Sequence, residues 1–206
     1  MDTEIDTIIF DLGGVLVDWK PEYLYRKIFK GDEQKVQWFI KNVCTPEWNI
    51  EQDAGRTIEE ANAIKIAEFP EYKNEIISFY NRWEEMFTGP ITDNLQLFKN
   101  IKASGNYNVF ALTNWSAEKW DIALKLFPFF KDFDGVVVSG QVKLIKPFPE
   151  IYKLILNKYN INPKKAIFID DNKENVKTAN TLNIKGIHYT KEKDLTNVLK
   201  SLNIVF

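Results

Sequence analysis

Four short apolar runs, each stopping abruptly at a polar cluster, constrain this chain more than any other feature. Ile8-Ile9-Phe10 stops at Asp11, with Gly13 and Gly14 just beyond. Val109-Phe110-Ala111-Leu112 runs into Thr113-Asn114. Val136-Val137-Val138-Ser139 leads on to Lys146-Pro147, and Ala166-Ile167-Phe168-Ile169 ends in Asp170-Asp171-Asn172. Near-continuous apolar runs of this length mark parallel strands covered on both faces. Open α/β sheets place their ligands at the carboxyl ends of such strands. An aspartate at that edge can serve as a nucleophile, a metal ligand, or both. The two glycines let the backbone turn sharply and let a ligand approach its N–H groups.

From Ile91 onward helices and strands alternate. Leu95, Phe98 and Ile101 mark a helix before a strand at 107–112. A helix at 116–127 precedes a strand at 135–138, and a helix at 148–159 precedes one at 166–170. A helix at 173–183, a strand at 185–189 and a last helix carrying Leu195, Val198, Leu199 and Leu202 complete the series. This βα alternation requires a parallel sheet. Between Pro21 and Phe87 only helical periods occur. Val36, Phe39, Ile40 and Val43 share one helical face. Thr57 with Glu60 forms a capping-box signature ahead of the stripe Ile58, Ala61, Ile64 and Ala67, which Phe69-Pro70 ends. Ile76, Phe79, Tyr80, Trp83, Met86 and Phe87 line the next helix. The first strand is thus separated from the rest of the α/β core by a helical insertion. The division is 1–16 and 91–206 for the core, and 17–90 for the insertion.

The length of 206 residues suits one large domain with such an insertion. A formal net charge of −2 argues against a nucleic-acid surface. A single cysteine, Cys44, excludes an internal disulfide and fits a reducing cytoplasm. The start of the chain lacks a signal-peptide pattern, and no apolar stretch is long enough to span a membrane.

The order Asp-x-Gly-Gly-Val, Leu-Thr-Asn, Lys-Pro-x-Pro-Glu-Ile-Tyr and Asp-Asp-Asn resembles the haloacid dehalogenase superfamily over nearly the whole chain. The insertion resembles that superfamily's type 1 cap. The Asp-x-Gly start and the Phe-x-Asp-Asp-Asn segment are most similar to its alpha-D-glucose-1-phosphate phosphatase group. The resemblance implies a Rossmann-like, five-stranded parallel core sheet of order 5-4-1-2-3. It implies a Mg²⁺-dependent phosphatase of a small phosphorylated metabolite, a sugar phosphate, acting as a monomer or homodimer. Asp11 becomes the nucleophile, and the N–H groups of Leu12 and Gly13 point at the phosphoryl oxygens. Thr113 and the Asn114 backbone bind the same group, and Lys146 neutralises its charge. Asp171 becomes the direct Mg²⁺ ligand with Asp11 and Gly13, and Asp170 binds through water or from behind. Trp48, Asp53 and Trp115 are expected to meet the substrate, with the segment from Trp48 to Gly55 reaching down over Asp11.

Two positions depart from the superfamily pattern. The acid that commonly lies two residues after the nucleophile, and protonates the leaving group, is here Gly13. With no acid there, turnover should depend on how well the leaving group bears charge, which favours an anomeric sugar phosphate over a 6-phosphate. A further acidic position, four residues after Asp171, is here Asn175, which is expected to bond Asp171 or Lys146. Two other functions compete. A dehalogenase uses the same nucleophile on carbon without metal, and the pair Asp170-Asp171 argues against it. A non-catalytic regulator of the same fold would have no use for Asp11, Lys146 and the acid pair together.

Overall fold

The computed structural model describes residues 4–206. The chain opens with β1 (Thr7–Phe10) and β2 (Val17–Trp19), and five helices follow. These are α1 (Pro21–Ile28), α2 (Glu33–Asn42), α3 (Pro46–Asp53), α4 (Ile58–Glu68) and α5 (Lys73–Asn81). Then come β3 (Phe87–Pro90), α6 (Thr92–Ser104), β4 (Asn108–Thr113), α7 (Ala117–Leu126), β5 (Gly135–Val138) and the short α8 (Ser139–Val142). The chain closes with α9 (Pro149–Lys158), β6 (Ala166–Asp170), α10 (Lys173–Thr181), β7 (Lys185–His188) and α11 (Leu195–Ser201).

β1 and β6 are buried at every residue, which places them at the centre of the sheet. β1 pairs in parallel with β4 on one side and β6 on the other; β5 and β7 form the edges. The spatial order is β5-β4-β1-β6-β7. Counted along the five core strands alone and read from β7, this is 5-4-1-2-3, the expected α/β arrangement. The chain reverses direction across the sheet at β1, so the ends of β4, β1 and β6 border the crevice where such sheets bind ligands. Alternation along the strands splits the apolar side chains between two layers. Ile8, Phe10, Val109, Ala111, Ile167 and Ile169 face the layer of α6, α7 and α11. Ile9, Phe110, Leu112 and Phe168 face α9 and α10.

Three features of the helical segment differ from the sequence reading. β2 and β3 form an antiparallel ribbon that carries the chain into and out of the five helices. It escaped detection because β2 is three residues long with a polar centre, and because Gly89-Pro90 reads as a turn. The expected stripe on α4 is also turned. Ala61 and Lys65 are buried, whereas Ile64 is 46% exposed and Ala67 faces solvent. The Lys65 stem lies along the apolar face while its ammonium reaches Glu68 at 2.6 Å. Finally, α5 stops at Asn81. Trp83–Met86 forms a 3₁₀ turn, which keeps Trp83 and Met86 buried, and Phe87 begins β3.

The capping box at α4 is complete: Thr57 accepts from the Glu60 N–H, and Glu60 accepts from the Thr57 N–H. Thr57→Ala should cost about 1 kcal/mol and lower Tm by roughly 2–4 °C in a thermal melt. Ile64→Lys, on the exposed face, should leave Tm within about 1 °C, since surface changes stay small; a large drop would restore the apolar stripe read from sequence.

Candidate active site

Asp11 follows the last residue of β1 at the sheet's carboxyl edge. Its Oδ1 accepts from the Leu12 N–H at 2.8 Å and meets the Lys146 ammonium at 2.8 Å. Among the described residues nothing donates to its Oδ2. The Leu12 N–H is therefore spent on the Asp11 carboxylate, and does not point at a phosphoryl position as the sequence reading expected. Burial pushes the Asp11 carboxyl up to about 7; Lys146 opposes this, and the charges of Asp170 and Asp171 add to it.

Lys146 is 2% exposed and bridges two strand ends, with Asp170 Oδ2 at 2.7 Å on its other side. Burial alone would lower its pKa, and the carboxylates of Asp11 and Asp170 outweigh that and raise it. Its loop is pinned by Asn114, whose side chain accepts from the Lys146 N–H at 2.9 Å and donates to its carbonyl at 3.0 Å. Thus the Asn114 side chain positions the lysine, which leaves only its backbone to meet a ligand. Thr113 is buried at the end of β4.

Asp170 is completely buried, and its Oδ1 also accepts from the Asn172 N–H at 2.8 Å. Asn175 donates to both Asp170 oxygens, at 3.0 and 3.1 Å, rather than to Asp171 or Lys146. One turn along α10 from Asn172 brings this amide back over the strand end, a geometry that spacing alone does not reveal. Asp171 is the solvent-facing member of the pair. Its carboxylate packs on Gly14, which has φ +72°, and a Cβ on Gly14 would collide with it. That close approach is the use of the second glycine.

Ligand atoms of Asp11, Asp170 and Asp171 lie within 4.8 Å of one another. Three carboxylates facing one ammonium leave excess negative charge. Hard oxygen donors in this number fit a small divalent cation, to which Gly13 has only its backbone to offer.

Above this floor lies a cavity of about 70 Å³ bordered by Gly13, Asn114, Trp115, Asp53 and Trp19. Asn49, Tyr80, Trp83, Phe87 and Ser116 complete its walls. Of the three residues expected to meet the substrate, the structure brings Asp53 and Trp115 to this cavity but not Trp48. That indole packs against Phe79 and Tyr80, and its N–H donates to the Ala61 carbonyl at 3.2 Å. Asn49, one residue on, takes its place. Tyr80 and Trp83 were legible only as core residues, because their helical spacing says nothing about which end of the ring meets a cavity. A larger open groove of about 830 Å³, between β3, α6 and residues 189–196, has none of the motif residues on its walls.

Such a floor, on a parallel sheet covered by helices, is that of an enzyme. A family model described as "Hydrolase: haloacid dehalogenase-like hydrolase" matches residues 5–183, and the chain belongs to that family. It is similar to the Phosphorylated carbohydrates phosphatase of Thermotoga maritima, 26% identical over 192 residues, covering 89% of this chain and 84% of that protein. Pyrophosphatase PpaX of Bacillus velezensis is 26% identical over 195 residues, covering 92% and 86%. A haloacid dehalogenase family enzyme of Bacteroides thetaiotaomicron, solved in complex with magnesium and inorganic phosphate, has a TM-score of 0.71 and 25% identity, covering 94% of this chain and 98% of that one. Among the described residues no helix is long and apolar enough to cross a membrane.

Gly14→Ala should displace Asp171 and weaken Mg²⁺ binding by at least tenfold in a calorimetric titration, with the circular dichroism spectrum retained. Unchanged affinity would remove Asp171 from the metal site.

Proposed function

We propose that this protein is a Mg²⁺-dependent phosphatase of a small phosphorylated metabolite, with sugar phosphates as the substrate class. One observation carries the reading. Asp11 keeps one carboxylate oxygen on Lys146 and the Leu12 amide, while the other lies free beside a second, solvent-facing carboxylate, Asp171. An ester phosphate brought there meets a positioned nucleophile, a buried cation and a metal-ready acid cluster. A displacement at carbon needs no such cluster. The names of the Thermotoga and Bacillus relatives, and the magnesium and phosphate bound to the Bacteroides enzyme, support the same chemistry.

In this reading Asp11 attacks phosphorus to give an aspartyl-phosphate, which water then hydrolyses. Lys146 offsets charge on the nucleophile and the phosphoryl group. Thr113 and the Asn114 backbone hold the phosphoryl oxygens. Asp11, Asp171 and the Gly13 backbone would hold the cation, with Asp170 behind them. The cation would supply charge neutralisation between the carboxylates and the phosphate.

Residues 17–90 act as the cap. A cavity of about 70 Å³ is smaller than the roughly 300–1,000 Å³ of small-molecule sites. Substrate therefore enters when α3 moves away from the strand ends, and the β2–β3 ribbon is the connection that flexes. The aromatic walls suit the apolar face of a sugar ring, with Asn49 and Asp53 available to its hydroxyls. We place the enzyme in the cytoplasm, as a monomer or homodimer.

Asp11→Asn should lower turnover of 4-nitrophenyl phosphate by roughly 10³-fold or more while the protein stays folded. Retention of a tenth of the activity would rule out the covalent route. Chelation with EDTA should abolish turnover and added Mg²⁺ restore it. Full activity in chelator, with halide released from 2-chloropropionate, would establish the dehalogenase instead.

A further inference from the structure

We propose that Asp53, reaching in from the end of α3, is the acid that protonates the departing oxygen and the base that then activates water. This rests on the phosphatase reading above. The office is vacant on the floor of the site, because position 13 is glycine. A Cβ built on Gly13 meets nothing within 4 Å, so the backbone there leaves room for a side chain to start beside the nucleophile. That space belongs to the cavity above Asp11, and Asp53 stands on its wall. The carboxyl comes from the helical segment instead of from the strand end.

The surroundings of Asp53 suit proton transfer rather than charge pairing. It is buried, and among the described residues no cation forms an ion pair with it. Arg56, three residues on, is turned away: it donates to Gln52 Oε1 and to the Trp48 carbonyl. Asp53 accepts from Asn49 Nδ2, through Oδ2 at a long 3.3 Å, and from the Ser116 backbone N–H. The Tyr80 hydroxyl donates to Asn49 Oδ1 at 2.9 Å, which fixes the amide with its NH₂ toward Asp53. The Asp53 carboxyl lines the cavity. The charged or titratable groups facing Asp53 are Asp11, Lys146 and Tyr80. Burial, then the charge of Asp11, pushes its carboxyl up to about 8, against Lys146 and the Ser116 amide. A carboxyl so placed holds its proton near neutral pH, the state an acid catalyst needs.

The proton balance closes over both halves of the reaction. Asp11 bonds to phosphorus as the bond from phosphorus to the ester oxygen breaks, and the Asp53 proton passes to that oxygen, which leaves as an alcohol. A water then gives a proton to the Asp53 carboxylate as its oxygen bonds to phosphorus. The bond from phosphorus to Asp11 breaks, inorganic phosphate leaves, and Asp53 is protonated again. With this acid in place the wild-type enzyme is not confined to good leaving groups. The preference for anomeric phosphates argued from Gly13 alone is then a property of variants that lack Asp53.

Two esters of similar shape separate this role from others: 4-nitrophenyl phosphate, whose leaving group needs no proton, and benzyl phosphate, whose leaving group does. For Asp53→Asn, kcat/KM should fall on benzyl phosphate by about 100-fold or more beyond its fall on 4-nitrophenyl phosphate, the scale of general acid catalysis. Loss of the base should also show as a pre-steady-state burst of nitrophenolate, one per active site. Adding Gly13→Asp to that variant should recover at least tenfold on benzyl phosphate, because a Cβ at position 13 meets no neighbour and its carboxyl would start beside the nucleophile. Asp53→Ser, which removes the carboxyl without inserting an amide, repeats the test should the asparagine variant melt lower. Equal losses on both esters in both variants, without a burst, would overturn the proposal and make Asp53 a binding or packing residue. If the wild-type protein turns over neither ester with Mg²⁺, it is the phosphatase reading that fails.

Discussion

One buried ammonium holds this site together. Lys146 sits between Asp11 and Asp170 at 2.8 and 2.7 Å, almost wholly out of water. Removing charges from water costs several kcal/mol per ion, so each member of the triad is tolerable only beside the others. Breaking such a set by deleting one partner typically costs roughly 3–5 kcal/mol. The ends of β1 and β6 and the loop after β5 are thereby tied to a single point. Deleting the lysine would leave carboxylates facing each other with nothing between them.

Much of the remaining local structure keeps that ammonium in place. Asn114 grips the Lys146 peptide on both sides, which couples the end of β4 to the lysine loop. Ser139 accepts from the Trp115 N–H at 2.9 Å and holds the segment after β4 against the start of α8. Asn175 and the Asn172 amide complete the bonds to Asp170, and the Tyr152 hydroxyl donates to the Asn175 carbonyl at 2.9 Å. Side chains fixed by such networks cost little reorganisation when charge develops on a bound ligand. The same rigidity accounts for the close fit at Gly14, where backbone and the Asp171 carboxylate leave no room for a side chain.

The floor of the site was legible in the sequence because apolar runs locate strand ends. Asp11, Thr113 and Asp170 each sit at or just beyond such an end, Lys146 follows in the loop after α8, and one sheet edge gathers them. Hydrogen-bond detail was not legible. Whether Asn175 reaches Asp170 or Asp171, and whether the Leu12 amide faces inward or outward, depends on angles that residue spacing does not fix. The helical segment was read least well, since its faces are set by packing against neighbours. Periodicity chose Ile64 where the fold buries Lys65, and the affinity of an aromatic face for a sugar ring chose Trp48 for the cavity where Asn49 lies. The β2–β3 ribbon carries almost no signal of its own, and Asp18 shows why. Its carboxylate accepts from Tyr23, Thr88 and Lys191, partners distributed over the whole length of the chain.

The division between floor and walls has a chemical consequence. On the phosphatase reading proposed above, the floor would recognise what every phosphate ester shares, a charged tetrahedral group, with residues fixed to the sheet. The walls meet what differs between esters, the leaving group, and they come from α3, the region around Tyr80 and Trp83, and the residues after β4. Asp53 belongs to the walls. When α3 lies over the strand ends, its carboxyl, the aromatic rings and the exclusion of water reach the site together. In the mechanism proposed above, movement of α3 away from the strand ends would leave the Asp11–Lys146 pair on the sheet but take from the aspartyl-phosphate the carboxyl that activates water. Closure in that mechanism would do more than shield the reaction: it would deliver the proton-transfer group, so an ester too large to let α3 settle would bind to the floor and turn over slowly.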